Sequence, residues 1–201
     1  HTCSYGALGA FGTGVGCTDL LYGMVTGKSW VLVPETVKFN LVGKLPEGVY
    51  ARDLILTIIG TIGANGCNYQ VMEFTGEGAK TLSISERMVL CNMAVEAGAK
   101  TGIFEPDEKA IEYLEAHGRK PKALFTSDPD AVYAREYTFD LSKIRPVVAK
   151  PDFVDNLVPA EEVRGVKIDE AFLGSCNNGR IEDLRVGASI INGKKVAEKV
   201  R

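Results

Sequence analysis

Between Ser29 and Gly118, short β-branched apolar runs alternate with segments that carry their own helix start and stop signals, and this alternation constrains the fold most. Thr36 to Val42, Gln70 to Phe74 and Thr101 to Phe104 read as strands, with Trp30 to Val33 as another, set off by Pro34. Arg52 to Ala64 reads as a helix with Asp53 in its first turn and apolar residues on most faces, so burial between layers is expected. Gly76 and Gly78 mark a turn. Ser83-Ile84-Ser85-Glu86 has the S-x-x-E capping pattern and opens a helix to about Ala97, stopped by Gly98. Pro106-Asp107 starts a third helix, which reaches Ala116 before Gly118 ends it. This βαβαβα order predicts an α/β domain with helices packed on a sheet.

The flanks are less regular. Glycines 6, 9, 12, 14, 16, 23 and 27 are interleaved with apolar residues, which predicts a close-packed helix ending near Gly27. Gly12-Thr13-Gly14-Val15-Gly16 is not a dinucleotide loop, because no strand precedes it and the third glycine is misplaced for G-x-G-x-x-G. Beyond a polar connection from Arg119 to Pro129, Glu136 to Leu141 and Pro146 to Lys150 read as strands. Pro151 to Gly165 reads as a linker, and Lys167 to Leu173 followed by Ile181 to Ile191 as a new strand and helix.

Composition removes several functions. Of 201 residues, 45% are hydrophobic and 24% charged, with a net charge of −3 spread without a basic patch, so neither nucleic acid nor an anionic membrane is an expected partner. Leu54 to Ala64, the longest mostly apolar stretch, is too short to span a bilayer. Cys3, Cys17, Cys67, Cys91 and Cys176 are odd in number and far apart, which argues for a reducing, cytoplasmic setting and against a disulfide framework. No C-x-x-C occurs, so neither a zinc site nor a complete iron–sulfur site can be built from sequence-local ligands.

Three places carry polar groups where core residues would be cheaper. One is His1-Thr2-Cys3-Ser4-Tyr5, which could equally be an ordinary helix cap. The second lies in the capped helix, where Asn92 and Glu96 are four apart and share a face on an otherwise apolar cylinder. That face is either a solvated stripe or a partly buried carboxylate that must be paired or used. The third is Gly174-Ser175-Cys176-Asn177-Asn178-Gly179, which places Cys176 between a short apolar run and a helix opened by Glu182 and Asp183. There a helix N-terminus would favour a thiolate, whereas the plainer alternative is a buried, inert cysteine.

In order and spacing, these elements resemble the aconitase superfamily, most closely the large subunits of its isopropylmalate isomerase and homoaconitase branch. The resemblance is carried by His1-Thr2-Cys3-Ser4-Tyr5-Gly6-Ala7-Leu8-Gly9-Ala10-Phe11, Pro34-Glu35-Thr36-Val37, Arg52-Asp53-Leu54-Ile55-Leu56, Met88 to Lys100 with its C-N-M-x-x-E-x-G-A pattern, and Gly174 to Leu184. It spans essentially the whole chain. The fold it implies is a set of three-layer α/β/α domains with mostly parallel sheets. Residues 1–34 would end a first domain and 35–150 form a complete second one; 151–165 would link to 166–201, the first βα unit of a third domain that bears a cluster.

The implied activity is a hydro-lyase that moves a hydroxyl between adjacent carbons of a malate-like acid. Within the branch this means interconverting 2-isopropylmalate and 3-isopropylmalate in leucine biosynthesis, with a homoaconitate or methylmalate-type hydratase, or a cluster-free binding domain, as alternatives. The implied cofactor is a [4Fe–4S] cluster on three cysteines, one iron being left open. Cys176 would be the first ligand, Asn92 would hydrogen-bond near the cluster, and Asn178 would support its loop. Glu96 would contact water or hydroxyl on the open iron, and His1 would bond the same hydroxyl. Asn177 departs from the usual Thr. The family's Asp-Ser before His1 and its C-x-x-C ligands are not in these residues, and in this branch a separate small subunit brings the Ser base and the arginines that read the substrate, a small di- or tricarboxylic hydroxy acid. The resemblance therefore implies a fragment that alone neither holds the cluster nor turns over substrate.

Overall fold

The protein is described by a computed structural model covering residues 2–200. After a 3-10 helix at Thr2–Leu8 come α1 (Cys17–Thr26), β1 (Thr36–Val42), α2 (Ala51–Ile62), β2 (Val71–Thr75), a short α3 (Glu77–Thr81) and α4 (Ile84–Met93). Then follow β3 (Thr101–Phe104), α5 (Glu108–Ala116), β4 (Arg135–Asp140), β5 (Val147–Ala149), β6 (Leu157–Pro159), α6 (Ser175–Asn178) and α7 (Ile181–Ile191). Four strands form a parallel sheet in the order β3-β2-β1-β4, and β5 pairs antiparallel with β6. The α/β fold expected from the alternation is therefore present, with the mostly parallel sheet that the resemblance implies.

Register explains the core. On β1, Val37, Phe39 and Leu41 point one way and are fully buried, while Lys38 and Asn40 between them are not. Phe39 stands opposite Phe74 on β2 and Tyr137 on β4, and Phe74 opposite Phe104 on β3. A row of rings thus crosses all four strands, with centroids 5.4 Å apart for Phe39 and Tyr137, 5.6 Å for Phe39 and Phe74 and 5.1 Å for Phe74 and Phe104. Leu54, Ile55, Ile58 and Ile59 of α2 and Val89, Leu90 and Met93 of α4 join these side chains in a single apolar cluster.

The other face is polar. Lys38 and Glu136 are 3.7 Å apart there, and buried Glu73 accepts from Ser127 at 2.9 Å and Tyr133 at 3.1 Å. Ser127 and Tyr133 belong to the long return from β3 to β4, which runs back across the sheet. A right-handed crossover in that direction has to pass over the face opposite to the earlier helices, which accounts for the loop's position.

Local signals set the helix ends. Ser83 Oγ accepts from the Glu86 amide at 3.3 Å, and the Glu86 carboxylate accepts from the Ser83 amide at 2.7 Å. Asp107 caps α5 by accepting from the Ala110 amide at 3.2 Å. Gly98, expected as a stop, takes a left-handed φ of 80° behind a 3-10 turn at Ala94–Ala97.

Several expectations fail. Trp30 to Val33 is no strand: its side chains are 54–83% exposed and no neighbouring strand offers a hydrogen-bonding partner, so β propensity has nothing to act on. Lys167 to Leu173 is irregular, with a bend at Asp169 and with Phe172 and Leu173 exposed. The glycine-rich start is not one close-packed helix. Gly6 lets the 3-10 helix press against β3, where an added Cβ would lie 1.8 Å from the Gly102 carbonyl oxygen, whereas α1 buries none of its residues and does end at Gly27. Gly76 and Gly78 open α3 instead of a bare turn. The stretch read as a linker contains β6, whose Leu157 packs against the core.

Candidate functional site

Asn92 is the penultimate residue of α4, and it is buried. Its Oδ1 receives the Cys176 thiol at a sulfur–oxygen distance of 3.9 Å and the Asn177 amide at 3.5 Å, while its own Nδ2 donates to Ser4 Oγ at 3.4 Å. Residues 4, 92, 176 and 177 are thereby brought together from the N-terminal 3-10 helix, α4 and α6.

Cys176 is exposed, so the buried alternative does not hold. Its setting differs from the expected mouth of a long helix. It is the second residue of α6, a four-residue turn with little dipole to offer a thiol. Ser175 before it has a left-handed φ of 74°, a conformation that costs energy for a residue with a side chain and is retained where surrounding contacts enforce it.

Two arginines hold the residues that follow Ser175. Arg52 Nη1 donates to Asn177 Oδ1 at 3.3 Å and to Asn178 Oδ1 at 3.1 Å. Arg180 Nη1 donates to the Asn177 carbonyl at 2.7 Å, and Asn178 Nδ2 donates to Asp183 Oδ1 at 3.1 Å.

Glu96 follows α4 in the Ala94–Ala97 3-10 turn, so Asn92 and Glu96 do not lie on one continuous α-helical face as the spacing predicted. Its Oε2 is buried and has no hydrogen-bond partner among the described residues. Burial pushes the Glu96 carboxyl above the usual carboxylate range, and its own backbone amide and the Arg52 charge oppose this only in part. His1 lies outside the described residues. Asn92, Cys176 and Asn178 therefore join one hydrogen-bonded cluster, and Glu96 is linked to it through the field of Arg52.

Arg52 lies within a motif that carries the resemblance, but the resemblance implies no role for it and leaves that of Asn177 open. One available signal was a cation in the first turn of α2, where the helix dipole disfavours it. A cleft of about 670 Å³ adjoins the cluster, with Arg52, Asn178, Asp183, Phe172 and Val186 among its walls. Among the described residues, no group of three or more His, Cys, Asp or Glu side chains could hold a metal ion, and no helix is long and apolar enough to cross a membrane.

Over 201 residues the chain is 54% identical to the 3-isopropylmalate dehydratase large subunit of Heliobacterium modesticaldum, covering 100% of this chain and 48% of that protein. It is 53% identical over 196 residues to the large subunit of Hydrogenobaculum sp., covering 98% and 46%. For large subunit 1 of Methanopyrus kandleri the identity is 50% over 201 residues, covering 100% and 48%. The chain spans about half the length of the curated relatives it matches. The sequence model of the aconitase family (aconitate hydratase) matches residues 1–164, and the chain belongs to that family.

Proposed function

We propose that this chain is part of the large subunit of a hydro-lyase that interconverts 2-isopropylmalate and 3-isopropylmalate by dehydration and rehydration, as the names of its relatives indicate for those proteins. The observation that carries the reading is the meeting of exposed Cys176 with buried Asn92, four residues before Glu96, a half-buried residue whose Oε2 is buried and has no partner among the described residues.

These residues fit one corner of a [4Fe–4S] site. Cys176 supplies an accessible thiol on an enforced turn; two more thiolates are required, and no described residue supplies them. When bound, such a cluster with an open iron supplies a Lewis acid for a hydroxyl and a carboxylate. The chain's own part is positioning and proton handling. Asn92 holds the Cys176 turn against α4, and Asn178, fixed between Arg52 and Asp183, supports the same loop. Glu96 Oε2, without a partner among the described residues, is proposed to take the hydroxyl that leaves as water, and the raised pKa of its carboxyl suits it to share a proton there. His1 is proposed to bond the same hydroxyl.

Further parts of the proposal are a small subunit as partner, since the relatives are named large subunits, and a reducing, cytoplasmic setting for the five free cysteines. The division at 1–34, 35–150, 151–165 and 166–201 belongs to it as well, with 151–165 a connection that packs back on the second unit through Leu157 of β6. The test is to assay the complete iron-loaded polypeptide with its small subunit on 2-isopropylmalate, following the ultraviolet absorbance of the conjugated acid. Formation of that acid and of 3-isopropylmalate is expected; turnover of homoaconitate with none of 2-isopropylmalate would contradict the substrate assignment.

A further inference from the structure

Arg52 has no obvious reason to be where it is. It occupies the first turn of α2, where a positive charge opposes the helix dipole, and no carboxylate lies within 4.0 Å of it among the described residues. Its guanidinium instead spends Nη1 on two side chains more than a hundred positions away, Asn177 at 3.3 Å and Asn178 at 3.1 Å.

The chemistry of the partners gives these bonds a direction. A guanidinium only donates, whereas an asparagine amide has one accepting and one donating end. Both asparagines must therefore turn their oxygens to Arg52 and their NH2 groups away. Asn178 then donates to Asp183 at 3.1 Å, and Asn177, itself only 6% exposed, donates to Asn92 Oδ1 at 3.5 Å. With its oxygen so engaged, Asn92 directs its own NH2 to Ser4 at 3.4 Å. One cation thus sets the orientation of three amides around Cys176 and ties the strained Ser175 turn to α2 and α4.

We infer that Arg52 is a positioning residue that orders the Cys176 turn by fixing the amide orientations of Asn177, Asn178 and Asn92. The purpose of that order rests on the proposed cluster site, but the order itself does not. It is therefore tested first on the chain without metal, by comparing Arg52→Met, which keeps the stem, and Arg52→Lys, which keeps the charge, with the parent.

Hydrogen exchange should quicken about 10–100-fold across residues 174–180 in Arg52→Met, and the restricted side-chain NH2 resonances of Asn177 and Asn178 should become solvent-averaged. Protection in β1, β2 and β3 should be unchanged, and Arg52→Lys should recover part of the effect. In the complete iron-loaded enzyme, Arg52→Met should lower kcat about 10–100-fold with KM little altered. Unchanged exchange and unchanged asparagine resonances in Arg52→Met would overturn the inference, as would a loss of protection spread through α2 and the sheet. Ordered resonances lost in the chain while the complete enzyme proves inactive on every hydroxy acid would leave Arg52 as the clamp and refute the proposed activity instead.

Discussion

Asp107→Ala is expected to destabilise the fold by about 3–5 kcal/mol, because it strands the buried charge of Arg87. For a chain of this size that lowers Tm by roughly 6–20 °C. The Arg87 side chain is 1% exposed, and its Nη1 and Nη2 reach the two Asp107 oxygens at 2.9 and 2.5 Å. Its Nε has no hydrogen-bond partner among the described residues, so Asp107 and the face of Phe104, 5.4 Å away, are its main compensation. The α5 cap at Ala110 is lost in the same substitution.

Two controls isolate the cause. Arg87→Met combined with Asp107→Ala should be more stable than Asp107→Ala alone, since removing both charges leaves no buried ion. The second control is pH. Burial raises the Asp107 carboxyl, but the hydrogen bond and charge of Arg87, with the Ala110 amide and Lys109, outweigh it and hold the group below its ordinary value. A depressed folded pKa contributes stability above the unfolded value of about 3.9 and loses it as pH falls through the folded one. The parent should therefore lose this stabilisation in acid below about pH 4, and the gap to Asp107→Ala should narrow there. Equal denaturant midpoints for parent and Asp107→Ala at neutral pH would refute the account of this pair.

Glu96→Gln is expected to divide activity and stability. Turnover of the complete enzyme should fall about 10²–10⁴-fold, the range for losing a group that handles a proton in the transition state. Stability should move the other way. The folded pKa of Glu96 is raised by burial, so the protonated form is favoured in the fold and the contribution is fully present only below the unfolded value, about 4.3. It is lost as pH rises through the higher folded value, and at neutral pH the half-buried carboxylate is a cost. Glutamine carries no such cost, so Glu96→Gln should melt above the parent at neutral pH, the difference closing towards pH 4. A fall in both activity and Tm would mean that the carboxylate is structural.

Legibility in the sequence followed the range of the interactions. Ser83 with Glu86, Asp107 and Gly98 act within a turn of themselves, and the structure places all of them at helix ends as read. The apparent strands at Trp30–Val33 and Lys167–Leu173 share the composition of β1 but lack a paired edge, which local sequence does not report. The site shows the same division. Cys176, Asn92 and Asn178 were marked by motif resemblance, and the structure brings them into one cluster. Arg52 and Arg87 were passed over because their partners lie 125 and 126 positions away for the first and 20 for the second. An arginine beside Met88-Val89-Leu90 in an apolar helix was a visible sign of a buried ion pair, although nothing local named Asp107.

The central claim is that Cys176 is a cluster ligand held in place by its asparagine neighbours. Mössbauer spectroscopy of the complete iron-loaded enzyme, prepared with and without Cys176→Ala, tests it most directly. The parent should show a [4Fe–4S] signal that Cys176→Ala lacks while keeping the parent's circular dichroism; a full cluster complement in Cys176→Ala would contradict the claim.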